Sequence, residues 1–192
     1  MPKLYIISGC NGAGKTTASY TLLPGMLECS EFVNTDEFAK SLYPFDPDRA
    51  MIDASRLMLQ KTWYLFDRRK DFAIETTLAT RALVKMIKKA QSQGYYVTVL
   101  YLWLDSPERA ISRVRARVSS GGHNIPEETI IRRYHVGLEY FFNLYMELCD
   151  HWILANNSEP PLKIIAEGGK KGMNVSDEDL FSIIRSSVKD VK

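Results

Sequence analysis

Short apolar runs alternate along this chain with longer segments of helical periodicity. Leu4 to Ser8 has the pattern of a buried strand that ends at a glycine, and Tyr95 to Leu104 is the longest apolar run. Glu31 to Asn34 and Phe72 to Glu75 have the composition of further strands. Strands that alternate with helices predict an α/β fold, with a mostly parallel sheet of about five strands and helices on both faces.

Proline and glycine mark where the helical segments begin and end. The predicted helices cover about Lys15 to Leu23, Asp48 to Arg69, Thr80 to Gln93, Pro107 to the break that starts at Ser119, Pro126 to Cys149, and Ser176 to Lys189. Two short strand candidates follow the fifth helix, at Trp152 to Leu154 and Leu162 to Ala166. Residues 168–172 have the composition of a hairpin turn or a mobile loop, and Ser176 with Asp179 resembles a capping box.

No linker divides the chain, so the sequence predicts one domain over residues 1–192. A glycine-hinged segment at about 117–133 is predicted to be a lid, and residues from about 168 to 192 form a C-terminal extension.

The segment from Gly9 to Thr16 has the form G-x-x-x-x-G-K-[ST], and it lies between a predicted strand and a predicted helix. Glycines let backbone N–H groups turn toward phosphate oxygens, and the helix N-terminus favours an anion. Lys15 is predicted to reach the β- and γ-phosphates of ATP, and the Thr16 hydroxyl to bind Mg²⁺. The alternative is a chance match in an ordinary strand-to-helix turn. The residues predicted to bind the nucleotide are Gly9, Asn11, Gly12, Ala13, Gly14, Lys15, Thr16, Thr17 and Arg113.

Two carboxylates follow predicted strands, at the edge where ligands bind to open α/β sheets. Asp36 is predicted to accept the proton of an attacking hydroxyl group. The alternative is that it merely caps a helix at Glu37 to Ser41. Glu75 and Thr76 are predicted to contact a polyhydroxylated substrate, unless they belong to a turn with helix-capping threonines.

An arginine series points to a phosphate-binding lid. Arg109, Arg113 and Arg117 recur every four residues on one helix face, and Arg133 follows after the glycine break. Guanidinium groups neutralise charge that develops during phosphoryl transfer, so Arg117 and Arg133 are predicted to be catalytic. A solvated helix face is the alternative.

Two further residues are candidates for the same site. His123 lies beside the two glycines of the lid and is predicted to contact the substrate. Asp105 ends the longest strand and is predicted to help hold Mg²⁺ through water, although it precedes Ser-Pro and could equally be a turn residue.

The composition of the chain disfavours nucleic acid and membranes as binding partners. Lys and Arg number 25 and Asp and Glu 23, which gives a net charge of +2 and no global field for nucleic acid or a membrane surface. No window approaches the ~18 apolar residues of a membrane span, and the start is too short for a signal peptide. The three cysteines fit neither a zinc site nor a disulfide framework. We therefore expect a cytoplasmic protein with reduced thiols, no nucleic-acid partner and no membrane association.

In combination, the motifs resemble the zeta toxin family. The resemblance covers about residues 1 to 168 and rests on Gly9 to Thr17, Asn34 to Asp36, Asp46 to Asp48, Glu75 to Thr77, Arg113 to Arg117, Gly121 to Pro126, Ile131 to Tyr134 and Ala155 to Ser158.

The resemblance implies a small P-loop kinase that uses ATP and Mg²⁺. Well-known members phosphorylate the 3′-hydroxyl of the amino sugar in UDP-N-acetylglucosamine, which depletes a cell-wall precursor. By resemblance, Lys15 and Thr16 contact ATP and Mg²⁺, Asp36 is the general base, and Glu75 with Thr76 contacts the sugar nucleotide. Arg117 and Arg133 hold the γ-phosphate, and an antitoxin protein is a possible partner.

Two other functions remain open from the sequence. One is a kinase of another metabolite or of polynucleotide 5′ ends, which the nearly neutral charge disfavours. The other is a nucleotide-dependent regulatory switch without transfer to a small molecule. The carboxylates at the strand ends argue against a switch, because a switch needs no acceptor pocket.

Overall fold

The computed structural model describes residues 1–25, 27–43, 51–122 and 124–188. The strands are β1 Lys3–Ser8, β2 Phe32–Val33, β3 Phe72–Thr76, β4 Tyr96–Trp103, β5 His151–Asn156, β6 Lys163–Gly169 and β7 Gly172–Val175. They form one sheet in the order β2-β3-β1-β4-β5-β6-β7. The first five are parallel, whereas β6 and β7 are antiparallel to their neighbours.

Helices connect the parallel strands and cover the sheet. They are α1 Lys15–Gly25, α2 Thr35–Leu42, α3 Met51–Asp67, α4 Leu83–Ser92, α5 Pro107–Ser119, α6 Glu127–Tyr140, α7 Met146–Leu148 and α8 Glu178–Ser186. Among the described residues, no helix is both long and apolar enough to cross a bilayer.

Two apolar cores lie on opposite faces of the sheet. Successive strand side chains point to opposite faces, so Leu4 and Ile6 join one core while Tyr5 and Ile7 join the other. Residues of α3, α4 and α8 pack into the first core, and residues of α1 and α5 into the second. The three-layer α/β architecture predicted from the pattern is therefore confirmed.

The sheet departs from the prediction in its size. It has seven strands rather than about five, because the antiparallel pair β6 and β7 extends the edge beyond β5. The C-terminal extension thus begins as part of the sheet. Its Gly168 to Gly172 segment is the predicted hairpin turn, since β6 ends at Gly169 and β7 begins at Gly172.

Two helix predictions also need correction. The helix predicted from Pro126 to Cys149 is interrupted by a π-helical turn at Phe141–Tyr145, whose two phenylalanines are buried in the core. The last helix is capped by Asp177, whose side chain accepts from the Leu180 N–H at 3.0 Å, and not by Ser176. The start predicted for α3 at Asp48 lies outside the described residues.

The topology places a crevice at the carboxyl end of β1. The chain leaves β1 toward β2 on one side of the sheet and leaves the neighbouring β3 toward β4 on the other side, so the two connections diverge at the carboxyl ends of β1 and β3. Ligands bind at such switch points in open α/β sheets. The loop after β1 and the segments after β2 and β3 meet there.

Candidate active site

A cleft of about 760 Å³ lies at this switch point. Its walls come from the phosphate loop (residues 9–16), the starts of α1 and α2, the segment after β3, and helices α5 and α6. Most residues that the sequence singled out line it. They are Asn11, Gly12, Gly14, Lys15, Thr16, Thr17, Asp36, Glu75, Thr76, Arg113, Arg117 and Arg133. Gly9 and Ala13 belong to the phosphate loop but do not line the cleft. His123 lies outside the described residues.

Glycine is required in the phosphate loop for two reasons. Gly12 and Gly14 have φ values of +80° and +81°, in the left-handed region that other residues seldom adopt. A Cβ on Gly12 would lie 2.6 Å from the Ala110 carbonyl oxygen, and one on Gly14 would lie 2.6 Å from Asn157 Nδ2. The loop is therefore held close to both α5 and the loop after β5.

A buried polar network surrounds Lys15 at the start of α1. Lys15 Nζ donates to the Cys10 carbonyl at 3.0 Å and lies 3.8 Å from Glu75 Oε1. Glu75 Oε2 accepts from Thr16 Oγ1 and from Asn34 Nδ2, both at 2.8 Å. Lys15 and Glu75 are only 8% and 11% exposed, so their charges interact with little screening.

Burial raises the pKa of Glu75 above its ordinary value of 4.5, and the Asp36 and Glu37 charges act in the same direction. The Lys15 charge and the Thr16 hydrogen bond oppose this shift. Glu75 thus interacts with Lys15 and Thr16, which are predicted to bind ATP and Mg²⁺, and with the charge of Asp36.

Asp36 lies in the first turn of α2 and faces the cleft. The helix is capped by Asn34, whose side-chain oxygen accepts from the Asp36 N–H at 2.9 Å. The alternative interpretation of Asp36 as the cap is therefore wrong, and its carboxylate is available for another role.

Arg117 and Arg133, at the two ends of the predicted lid, differ in their surroundings. Arg133 reaches down from α6 and donates to Asn11 Oδ1 at 3.0 Å. Burial and the neighbouring Arg132 charge lower the pKa of Arg133, while the Asp36 charge acts against them. Arg117 lies on α5 near the glycine break and also lines the cleft.

Arg113 and Asp105 are both bonded to other parts of the protein, but only Arg113 lies in the cleft. Arg113 lines the cleft, but its Nη1 and Nη2 donate to the carbonyls of Asn157 and Ser158 at 2.9 and 2.7 Å. Asp105 lies outside the cleft in a two-pronged ion pair with Arg109, at 2.6 and 2.7 Å. This hydrogen bonding lowers the pKa of Asp105. The placement supports the turn interpretation of Asp105 and not a role beside Thr16.

Sequence reasoning assigned no role to Asn34 or Asn157. Asn34 bridges the second strand to Glu75, and Asn157 donates to the Ala13 carbonyl at 2.7 Å. Asn34 belongs to the motif Asn34 to Asp36 and Asn157 to the motif Ala155 to Ser158, so the family resemblance marked both positions. Their partners lie 41 and 144 residues away in the chain, and only the fold brings them together.

The phosphate loop after β1 and the parallel core order β2-β3-β1-β4-β5 define a P-loop fold of the kinase type. A sequence model described as Zeta toxin matches residues 1–147, and the chain belongs to this family. A Haemophilus influenzae protein described only as uncharacterized is 30% identical over 132 residues, which is 69% of this chain and 92% of that protein.

Solved structures show the same fold at low sequence identity. The AvrRxo1-ORF1:AvrRxo1-ORF2 structure with sulphate ions matches 100% of this chain and 66% of that chain, with a TM-score of 0.80 and 16% identity. The same complex with ATP gives a TM-score of 0.77. The PezAT toxin–antitoxin system of Streptococcus pneumoniae gives 0.66 at 14% identity, covering 97% of this chain and 86% of that chain. These likenesses establish the fold alone.

Proposed function

We propose that this protein is a kinase that transfers the γ-phosphoryl group of ATP to a hydroxyl group of a small molecule. The observation that carries the proposal is that the phosphate loop and Asp36 open into one cleft. Membership of the zeta toxin family and the P-loop kinase fold support the same reaction class.

ATP is the proposed donor. The positive φ of Gly12 and Gly14 is the backbone form that turns N–H groups toward phosphate oxygens. Lys15 is close enough to the loop to exchange its bond to the Cys10 carbonyl for a bond to a phosphate. A structural relative of the same fold was solved with ATP.

The residues around Thr16 suit Mg²⁺. Mg²⁺ prefers oxygen ligands, keeps several waters, and usually takes only one or two protein groups beside substrate phosphates. Thr16 Oγ1 and Glu75 Oε2 lie 2.8 Å apart, and the buried Glu75 carboxyl group lies 3.8 Å from Lys15 Nζ. We assign Thr16 as a ligand and Glu75 as the carboxylate that holds the ion through water. When bound, Mg²⁺ would neutralise charge on the phosphates.

Asp36 is the proposed general base. The acceptor oxygen bonds to the γ-phosphorus while the bond from that phosphorus to the β–γ bridging oxygen breaks, and ADP leaves. The hydroxyl proton passes to the Asp36 carboxylate, which α2 holds at the cleft wall. Arg117 and Arg133 approach from the lid side and would stabilise the transferring group.

We assign to the acceptor the uncharged lining of the cleft, where Thr76, Thr77 and Thr80 lie with apolar Met58 and Leu83. The hydroxyl oxygens of Thr76 and Thr80 each accept a backbone N–H at 3.1 Å, as the turn interpretation predicted, so their hydroxyl protons remain to be donated to a ligand. Hydroxyl groups beside an apolar surface suit a sugar, which presents hydroxyls on its edge and C–H groups on its face. With the family resemblance, this supports UDP-N-acetylglucosamine and its 3′-hydroxyl as the proposed acceptor.

An antitoxin protein is the proposed macromolecular partner. The support is the likeness to a chain of the PezAT toxin–antitoxin system. Co-expression with a candidate antitoxin should suppress any growth defect that the active protein causes and Asp36→Asn does not. A growth defect that persists in Asp36→Asn would contradict toxicity through this activity.

The test of the proposed function is product formation. Purified protein is incubated with Mg-ATP and UDP-N-acetylglucosamine, and mass spectrometry measures phosphate addition to the sugar nucleotide. We expect the phosphorylated product with the wild type and its loss in Asp36→Asn. Transfer to a different metabolite from a cell extract would keep the kinase and discard this acceptor. Nucleotide binding without transfer to any metabolite would favour a regulatory switch.

A further inference from the structure

The loop after β5 is wedged against the phosphate loop. Asn157 Nδ2 donates to the Ala13 carbonyl at 2.7 Å, and the same nitrogen lies 2.6 Å from where a Gly14 Cβ would be. The Asn157 N–H donates to the Trp103 carbonyl at 2.9 Å, which anchors the residue to the end of β4. The amide side chain therefore has a fixed position directly against the Ala13–Gly14 peptide.

Arg113 holds this loop from the other side. Its guanidinium donates to the Asn157 and Ser158 carbonyls at 2.9 and 2.7 Å. The phosphate loop is thus packed between α5, where the Ala110 carbonyl meets Gly12, and Asn157, which meets Gly14. Since Arg113 lies on α5, one side chain links this helix to the residue that contacts the phosphate loop.

The geometry of the peptide bond relates the contact between Asn157 and the Ala13 carbonyl to phosphate binding. The C=O and N–H of a trans peptide point in opposite directions. A hydrogen bond that fixes the Ala13 carbonyl toward Asn157 therefore directs the Gly14 N–H away from Asn157, and Gly14 lines the cleft in which a phosphate would bind. A donor fixed in advance binds an anion without the cost of ordering it.

We propose that Asn157 is a positioning residue that presets the Gly14 N–H for a nucleotide phosphate, and that Arg113 acts through Asn157. This inference rests on the proposed function, because it requires a nucleotide at the phosphate loop. It changes the role predicted for Arg113, from a direct nucleotide ligand to the support of the residue that shapes the cradle.

The test compares two substitutions at neighbouring positions. Asn157→Asp keeps the shape but replaces the donor with an acceptor that faces the Ala13 carbonyl. Asn156→Asp adds the same charge one residue earlier and keeps its bond, since Asn156 Oδ1 accepts from the Ser158 N–H at 2.9 Å. Titration calorimetry measures ADP, ATP and AMP binding, and thermal unfolding checks the fold of each variant.

We expect Asn157→Asp to weaken ADP and ATP binding about tenfold or more, the scale of a lost hydrogen bond to a charged group. AMP binding should change little, because AMP keeps only the α-phosphate and lacks the β-phosphate that we expect the Gly14 N–H to bind. Asn156→Asp should bind all three nucleotides like the wild type. Asn157→Ala, which removes the donor without adding charge, should show the same selective loss, and it replaces Asn157→Asp if that variant does not fold.

Arg113→Gln separates action through Asn157 from direct contact. If Arg113 acts through Asn157, ADP and ATP weaken by the same factor, and the effects of Arg113→Gln and Asn157→Asp are not additive. A loss confined to ATP, with ADP unchanged, would assign Arg113 to the γ-phosphate and overturn its supporting role.

Nucleotide binding by the wild type separates a failure of the proposed function from a failure of the inference about Asn157. If the wild type binds neither ADP nor ATP, the proposed function and this inference both fall. If the wild type binds them and Asn157→Asp binds ADP as well as Asn156→Asp does, only the inference falls.

Discussion

The two ends of the cleft are built in different ways. At the phosphate end, charged side chains are already bonded to the protein, as Lys15 is to the Cys10 carbonyl and Arg133 to Asn11. Other residues of the same cleft, such as Thr77, Met58 and Leu83, are uncharged, and we assign them to the acceptor end. Among the described lining residues, the basic ones are Lys15, Arg113, Arg117 and Arg133.

This difference separates reaction type from substrate identity. Backbone geometry and buried charges at the phosphate end suit any nucleoside triphosphate, whatever the acceptor. The shape and hydroxyl groups of the other end decide which molecule presents its hydroxyl to Asp36. Substitutions at the phosphate end should therefore affect all acceptors equally, whereas those at the acceptor end should change the discrimination between acceptors.

Asp36 is proposed to act on both the acceptor and the transferred group, so its substitution should have the largest effect. We expect Asp36→Asn to lower kcat by ~10²-fold or more with ATP binding unchanged, because the variant cannot accept the hydroxyl proton. Steady-state kinetics and titration calorimetry check both parts. Glu37→Gln is the control, since Glu37 is adjacent, 41% exposed and paired with Lys40. Equal kcat in Asp36→Asn and the wild type would remove Asp36 from this role.

The close packing of the phosphate end can be tested with two glycines of similar φ. Gly12→Ala and Gly121→Ala share the strain of φ near +80° and +85°, but only Gly12 has a backbone oxygen within 2.6 Å of the new Cβ. We expect Gly12→Ala to lower the free energy of unfolding by ~1–3 kcal/mol more than Gly121→Ala does, from overpacking. Urea unfolding measures the difference. Equal losses would show that the loop is not held as closely as described.

The acceptor end should respond more weakly and more selectively. We expect Thr77→Val, which removes one hydroxyl from the cleft wall, to raise KM for the acceptor about fivefold, in line with one lost hydrogen bond. KM for ATP should not change. Thr98→Val, in β4 and outside the cleft, is the control. A parallel rise in KM for ATP would contradict the separation of the two ends.

The smallest effect concerns stability and pH. The raised pKa of Glu75 means that the folded protein binds more protons than the unfolded chain between pH 4.5 and the raised value. Glu75 therefore lowers the free energy of unfolding as pH rises through this window, and its contribution is constant above it. Glu75→Gln removes this dependence, so the variant should gain stability relative to wild type as pH rises. Urea unfolding at several pH values measures the gain.

The control for this pH dependence is Glu147→Gln, because Glu147 is exposed on α7. It should change with pH as the wild type does. A Glu75→Gln difference that stays constant or falls with rising pH would contradict the raised pKa of the buried carboxyl.

Local patterns predicted the elements of the fold and the phosphate loop well. The Gly9 to Thr16 motif and the strand-end Asp36 and Glu75 carry their signal in neighbouring residues, and the parallel topology brings them together. Their catalytic and binding roles stay predictions. The strand candidate at Leu162 to Ala166 corresponds to β6, whereas β7, Gly172–Val175, was missed because it is short and mostly exposed and so lacks an apolar alternation.

The partner of a polar side chain could not be predicted from its place along the chain. Asp105 was predicted to help hold Mg²⁺ because it ends a strand, but the neighbouring Arg109 takes its carboxylate. The contact of Asn157 with Ala13 spans 144 residues and depends on β5 lying beside β4. Such contacts depend on tertiary structure, which periodicity does not contain.

The central claim is that one cleft moves phosphate from ATP to a small-molecule hydroxyl with Asp36 as base. The most direct test uses ATP labelled in its γ-phosphate, a small-molecule extract of bacterial cells, and either the wild type or Asp36→Asn. We expect the label to appear in a small molecule other than inorganic phosphate with the wild type, and we expect Asp36→Asn to abolish this transfer. Label released only as inorganic phosphate, or equal transfer by the two proteins, would contradict it.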